Sequence, residues 1–159
     1  MLSEIMYNAL CEQFTKERQN EALYQAIGDT FEAEAWHGFA KWAHKQATDE
    51  AAHARKIAEY ILDQNRVTQY HPLAAVVPPS GGVYQVFVFA YENEQLTTSA
   101  IKTLYYLAET QEDPQTCAFL QPLLLEQVEE EKLLSDAVLE LTRATDNASL
   151  LLLDGRYGS

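Results

Sequence analysis

One stretch constrains the fold more than any other: a helical apolar stripe interrupted by a carboxylate and an imidazole. Its members recur at the three- and four-residue spacing of a buried helix face: Phe39, Ala43, Glu50, His53, Ile57 and Ile61. Glu50 and His53 are three residues apart, so a helix places both on that face. An isolated buried charge is costly unless it is paired or binds a metal. Taken alone, the stretch is also compatible with an inward salt bridge or a solvent-facing pair.

Hydrophobic periodicity predicts three more long helices around this one. We expect the four helices at about residues 3–32, 34 or 36 to 64, 83–111 and 114–143. Ser3 is a suitable N-cap for the first helix, and Pro114 suits the first position of the fourth. After a break at Asp146-Asn147, we expect a short fifth helix over residues 149–154, stopped by Gly155.

The segment from Arg66 to Gly82 differs from the rest of the chain. It contains three prolines and two glycines among apolar residues, which predicts an extended, ordered connection. A connection of this length can cross the whole bundle, so the two helices it joins can be parallel. We therefore expect an all-α four-helix bundle with a long crossover between helices 2 and 3, forming one domain over residues 1–159.

Each of the other predicted helices also carries a core stripe broken by polar residues. On the first helix, Glu17 interrupts the apolar stripe, and Glu21 and Tyr24 follow it at four- and three-residue spacing. Periodicity alone does not say which of the two glutamates points inward. Glu94 breaks the stripe of the third helix, and Gln127 with Glu130 that of the fourth.

These breaks occur at comparable depths, so the polar residues are expected to converge inside the bundle. Carboxylates that converge in a dry interior repel one another unless a cation binds between them. Oxygen ligands with one imidazole favour iron or manganese, and a single nitrogen ligand makes two metal positions unequal. The alternative is a buried polar network with shared protons.

Composition excludes several classes of function. The net charge of -13 over 159 residues argues against binding nucleic acid or an anionic membrane surface. No apolar run approaches the length of a membrane span, and the N-terminus shows no export signal. Cys11 and Cys117 lack the close spacing of metal ligands and are interpreted as reduced thiols. We expect a cytoplasmic protein.

At these residues the chain resembles a non-haem ferritin of the bacterial type over nearly its whole length. The resemblance rests on Glu17 with Tyr24 and on three runs, at residues 49–53, 91–95 and 126–131. It implies a di-iron ferroxidase centre formed by Glu17, Glu50, His53, Glu94 and Gln127, with Tyr24 beside it, and it favours Glu17 over Glu21. It also implies a third iron site formed by Asp49, Glu126, Glu129 and Glu130. A hollow homo-oligomer of 24 subunits that stores ferric mineral is implied as well.

Some positions depart from the pattern of this family. Asp49 stands where a glutamate is commoner, and Ala118 and Gln121 stand where many ferritins carry acidic residues lining pores. Bacterioferritins bind haem through a methionine near the Glu-x-x-His motif, but here the only methionines are Met1 and Met6. We therefore expect no haem.

The resemblance favours one function and leaves two alternatives. The leading hypothesis is a ferroxidase that oxidises Fe(II) with O2 or peroxide, with Glu50 bridging the two iron ions, and stores the product. The first alternative is a smaller di-iron or di-manganese oxidase or peroxidase without a storage cavity. The second is a cage that sequesters iron without fast oxidation.

Overall fold

The computed structural model describes residues 1–159, and the chain folds into five α-helices with no β-strand. Their bounds are α1 Glu4–Ala33, α2 His37–Asp63, α3 Val83–Thr110, α4 Pro114–Arg143 and α5 Asn147–Tyr157. α1 packs mainly against α2, and α3 packs mainly against α4. Short turns join the helices of each pair, so each pair is antiparallel. The expected all-α four-helix bundle is confirmed, and the four long helices match their predicted bounds to within one to three residues. None of the helices is both long and apolar enough to span a membrane.

The segment between α2 and α3 runs along the outside of α1. Near the start of α1 the Tyr7 hydroxyl donates to the backbone carbonyl of Val67 at 2.7 Å. Further along, the Gln19 side chain pairs with the backbone N–H and carbonyl of Ala74 at 2.8 and 3.0 Å. The prolines before α3 then line a cavity with Phe31, near the end of α1. The crossover therefore spans the bundle, which makes α2 and α3 parallel, as expected.

Local capping explains where most of the helices begin and end. Ser3, Asp113 and Asp146 each accept a hydrogen bond from a backbone N–H in the first turn of α1, α4 and α5. The first three helices are each followed by a residue in the left-handed region, at Ala35, Asn65 and Glu112. This conformation turns the chain sharply after a helix C-terminus.

The predicted end of the fifth helix at Asp154 is wrong, because the helix continues through Gly155 to Tyr157. Its stability comes from contacts with the start of α2, which has no side-chain cap of its own. The Asp154 carboxylate accepts a hydrogen bond from the Phe39 N–H at 2.8 Å, so a residue from the far end of the sequence caps α2. α5 lies so close to Gly38 that a Cβ there would be 1.6 Å from the Asp154 carbonyl oxygen. These long-range contacts outweigh the low helix propensity of one glycine.

The interior of the bundle has three layers. One apolar cluster fills the end that holds the start of α1, with Leu10, Phe14 and Ile57 among its members. A second fills the other end, with Phe31, Phe39 and Phe87. Buried polar residues lie between the two along α1, α2, α3 and α4: Gln13, Glu17, Asn20, Glu50, Glu94, Thr97, Thr98 and Gln127. The sequence stripes are thus interrupted at one common level.

Candidate metal centre

The centre of the polar layer is a group of three side chains from α1 and α2. One ligand atom each from Glu17, Glu50 and His53 lies within 4.8 Å of the others. Glu17 is 1% exposed and Glu50 is 3% exposed, so both carboxyl groups are inside the bundle. Glu21, by contrast, lies at the edge of the buried face of α1, where its carboxylate oxygen is 3.5 Å from Nε of Arg18. The structure therefore places Glu17 inward, as the sequence resemblance implies.

The opposite side of the layer is organised around Glu94 on α3. The Tyr24 hydroxyl donates to one of its carboxyl oxygens at 2.7 Å. The side-chain amide of Gln127 donates to the other at 3.0 Å and to the Thr98 hydroxyl oxygen at 3.2 Å. Hydrogen bonds thus hold the Glu94 carboxyl group from α1 and from α4.

A further residue of the layer was missed by the sequence reasoning. The Gln13 amide donates to one oxygen of Glu17 at 2.6 Å, and Gln13 is 2% exposed. It precedes Glu17 by four residues, so a helix puts both on one face. The sequence signal for this contact is the four-residue spacing between a glutamine and a core glutamate.

When the carboxyl groups are ionised, two oxygens of the group have no hydrogen-bond partner. These are one carboxyl oxygen of Glu17 and one of Glu50, both fully buried. A buried polar atom without a partner costs about 1–3 kcal/mol, and more if it is charged. Oxygen atoms of this kind are the ligands that hard cations take, and the adjacent imidazole suits iron. The residues present therefore fit a site for ferrous ions.

Burial shifts the acid–base equilibria of the layer in one direction. It raises the pKa of Glu17 well above its usual 4.5, and it raises the pKa of Glu50 to about 8, with the charge of Glu94 acting in the same sense. Burial and the charge of Glu94 also raise the pKa of Glu130. The pKa of Tyr24 lies well above 10 because the phenol is buried beside Glu94. Without a cation the layer therefore retains protons near neutral pH, and cation binding would release them.

Two residues of the expected third iron site pair with lysines in this structure. Asp49 accepts a hydrogen bond from Lys45 at 2.6 Å. Glu126 contacts Lys56 and His53, Glu129 is exposed, and Glu130 is partly buried. Glu17, Glu50 and His53 are the residues whose ligand atoms form a compact group in this structure.

Comparison with known proteins points to one family. A family model described as a ferritin-like domain matches residues 7–144. A "bacterial non-heme ferritin" of Bacteroides fragilis strain 638R is 32% identical over 158 residues, covering 99% of both chains. A protein of the same name from Staphylococcus aureus strain USA300 is 30% identical over 153 residues, covering 96% of this chain and 92% of its own.

Solved structures give the same result. An open-pore ferritin from the archaeon Archaeoglobus fulgidus superposes with a TM-score of 0.97 at 28% identity, covering 99% of this chain and 98% of its own. An engineered closed form of that ferritin also reaches 0.97, at 29% identity. The family match, the full-length relatives and the shared fold lead to one conclusion: the chain belongs to the ferritin family and resembles its bacterial non-haem members.

Proposed function

We propose that this ferritin oxidises Fe(II) at a di-iron centre inside each subunit and stores the ferric product. The observation that carries the proposal is the pair of buried, unpartnered oxygens on Glu17 and Glu50 beside His53. When both carboxyl groups are ionised, no donor of the protein compensates the burial of these atoms, whereas a bound iron ion would compensate both. Two ferrous ions are the substrate, and the ligand set comprises Glu17, Glu50, His53, Glu94, Gln127 and Glu130.

The two iron positions are unequal. His53 supplies the only nitrogen ligand, at the position shared with Glu17 and Glu50. The second position takes oxygen ligands from Glu94, Gln127 and Glu130, with Glu50 bridging the two. Each ferrous ion gives up one electron, and O2 takes both electrons and two protons to become hydrogen peroxide. Hydrogen peroxide serves as the alternative oxidant in place of O2. Protons released when Glu17 and Glu50 bind iron are available for that step.

Tyr24 adjusts the reaction without holding iron. Its hydroxyl donates to Glu94 at 2.7 Å, so it orients that carboxylate and moderates its charge. Because its pKa lies well above 10, the phenol keeps its proton and is a poor ligand. Loss of the hydroxyl is therefore expected to change the rate and leave the iron count unchanged.

We extend the proposal to the assembly. Leu151 and Leu152 on α5 are 60% and 74% exposed, and Tyr70 and Val77 of the crossover are 68% and 80% exposed. These exposed apolar side chains are available for contacts with other subunits. A hollow oligomer of 24 copies, as the resemblance implies, would bury them. Cys11 and Cys117 are both free thiols, which is consistent with a cytoplasmic protein. The third iron site stays a prediction, as does the absence of haem.

Stopped-flow absorbance after adding two Fe(II) per subunit in air tests the oxidation. The pair Glu17→Gln and Glu21→Gln gives a matched comparison, because the two glutamates are one turn apart on α1 and only Glu17 is buried. Glu21→Gln should oxidise iron as the unchanged protein does, and Glu17→Gln should lose the fast phase. Equal rates in both variants would contradict the proposal. Iron uptake without a fast phase in the unchanged protein would favour a sequestering cage, and a stable dimer by light scattering would favour a non-storing oxidase.

A further inference from the structure

A cavity of about 230 Å³ lies beside the polar layer, between α2, α4 and the end of α5. Six of the nine residues that line it are hydrophobic, so most of its wall is apolar. Its buried walls include Phe87, Leu134 and Ala137, each of which is at most 4% exposed. Lys45 and Leu133 also line it, and they are 70% and 63% exposed, so the cavity opens at the protein surface beside them. The cavity therefore leads from the surface into the bundle.

The inner end of the cavity borders the second proposed iron position. Glu130, a ligand of that position in the proposed function, is one of the lining residues. Gln46 is another; it is 7% exposed and precedes Glu50 by four residues, so a helix puts both on one face. The Trp42 ring lines the cavity and packs against Tyr24, with ring centroids 5.9 Å apart. A molecule in the cavity thus lies next to Glu130 and one ring away from Tyr24.

One wall of the cavity depends on the extension of α5 past Gly155. Tyr157 is the last residue of α5 and lines the cavity. Its ring packs against those of Phe87 and Trp42, with centroids 5.6 and 6.4 Å apart. A helix that ended at Asp154 would leave this side of the cavity open. The contacts that hold α5 against α2 therefore also enclose the cavity.

The lining suits an uncharged, apolar molecule. Empty apolar cavities in proteins stay dry and take up apolar guests such as xenon. O2 is small, uncharged and apolar, so it partitions from water into surroundings of this kind. A ferrous ion is disfavoured here, because the Lys45 ammonium is at the opening and Glu130 is the only carboxylate in the lining.

We propose that this cavity holds O2 and delivers it to the second iron position from the side of α4 and α5. This inference rests on the proposed function, in which O2 oxidises Fe(II). Because the cavity borders Glu130, O2 held there is concentrated beside the iron that it oxidises. The cavity supplies the oxidant without altering the iron ligands.

Xenon pressurisation of metal-free crystals tests the cavity without any iron chemistry. The unchanged protein should show an anomalous peak in contact with Phe87, Leu134 and Ala137. Ala137→Leu should remove the peak, because the added carbon atoms fill the space. Ala148→Leu, at an exposed position of α5, should keep it. A cavity that takes up no xenon in the unchanged protein would overturn the proposal.

Stopped-flow oxidation of two Fe(II) per subunit at varied O2 concentration tests delivery. Ala137→Leu should raise the O2 concentration that gives half the maximal rate by about fourfold, the factor that corresponds to burying one methylene-sized group. Leu133→Trp should act in the same direction by covering the opening, and its exposed position makes folding tolerant of the larger side chain. Both variants should bind as many ferrous ions as the unchanged protein by anaerobic calorimetry, and Ala148→Leu should match the unchanged protein throughout.

Two kinetic results would contradict delivery of O2. One is an unchanged O2 dependence in both variants. The other is equal slowing of oxidation by hydrogen peroxide in the absence of O2, because a polar oxidant gains nothing from an apolar cavity. Failure of the unchanged protein to oxidise Fe(II) would refute the proposed function and delivery with it, whereas a xenon-free cavity together with fast oxidation would refute this inference alone.

Discussion

Replacing Glu50 by glutamine is expected to stabilise the metal-free protein at neutral pH. The Glu50 carboxyl group is buried, and one of its oxygens has no partner. Burial, with the charges of Glu94 and Glu130 acting in the same sense, raises its pKa from 4.5 to about 8. Glutamine has nearly the same shape and stays neutral at every pH, so Glu50→Gln removes the free-energy cost of burying an ionised carboxylate.

The size of the effect follows from the difference in pKa. Because the folded-state pKa is the higher one, the stability associated with this group is fully present below pH 4.5 and is lost as the pH rises towards 8. Each pH unit in that interval changes the free energy of unfolding by about 1.4 kcal/mol, so the folded protein loses about 2.5 kcal/mol between pH 5 and pH 7. For a chain of this size that corresponds to about 5–10 °C in the unfolding midpoint.

The assay is the thermal unfolding midpoint of EDTA-treated protein, measured by circular dichroism from pH 5 to pH 8. Glu59→Gln is the control, because Glu59 lies on the same helix but is 57% exposed and paired with Arg55. The midpoint of Glu50→Gln should rise relative to the unchanged protein as the pH increases, while that of Glu59→Gln should not. Parallel curves for Glu50→Gln and the unchanged protein would refute the reasoning, because they would show that the folded protein bears no cost for the buried carboxyl group.

Three further predictions concern the centre and α5. Tyr24→Phe should bind the same number of ferrous ions by anaerobic calorimetry but oxidise them at a different rate; loss of an ion would make the hydroxyl a ligand. His53→Ala should weaken iron binding at the first position, and Glu130→Ala should weaken it at the second. If both variants lost the same affinity at the same position, the two positions would not be unequal. Gly38→Ala should detach α5, since the new Cβ would lie 1.6 Å from the Asp154 carbonyl oxygen. It should lower the unfolding midpoint and make the Arg156 peptide bond more accessible to trypsin, whereas unchanged proteolysis would show that α5 adjusts.

The long helices and the depth of the centre were predictable because they depend on local periodicity. A helix buries one stripe, so an acidic residue on that stripe is placed in the core wherever the helix packs. Glu17, Glu50 and Glu94 follow this rule, and the structure buries all three. Glu17 could be separated from Glu21 only through family resemblance, since both lie near the same face and packing decides which is covered.

The extent of α5 was not predictable from local sequence. Gly155 has low helix propensity, and the contacts that carry the helix past it come from residues more than a hundred positions earlier in the chain. The Asp154 carboxylate caps α2, and Lys41 donates to the Gly158 carbonyl at 2.8 Å. No periodicity in the last residues contains that information.

The pairing of polar groups within the centre also needed the structure. Sequence spacing placed Gln127 and Glu94 at one level but did not show that the amide of one donates to the carboxyl group of the other. Glu126 resembled a third-site ligand, and its contact with His53 depends on how α2 and α4 pack. The sequence also does not show which carboxyl oxygens stay unpartnered, because that depends on every other hydrogen bond in the folded protein.

Anomalous scattering at the iron edge, from crystals soaked in ferrous salt without oxygen, tests the central claim most directly. We predict two peaks per subunit in the polar layer: one bound by Glu17, Glu50 and His53, and the other by Glu50, Glu94, Gln127 and Glu130. Crystals of Glu17→Gln should show weaker occupancy at the first position. An empty polar layer, with iron bound only at the surface, would contradict the account.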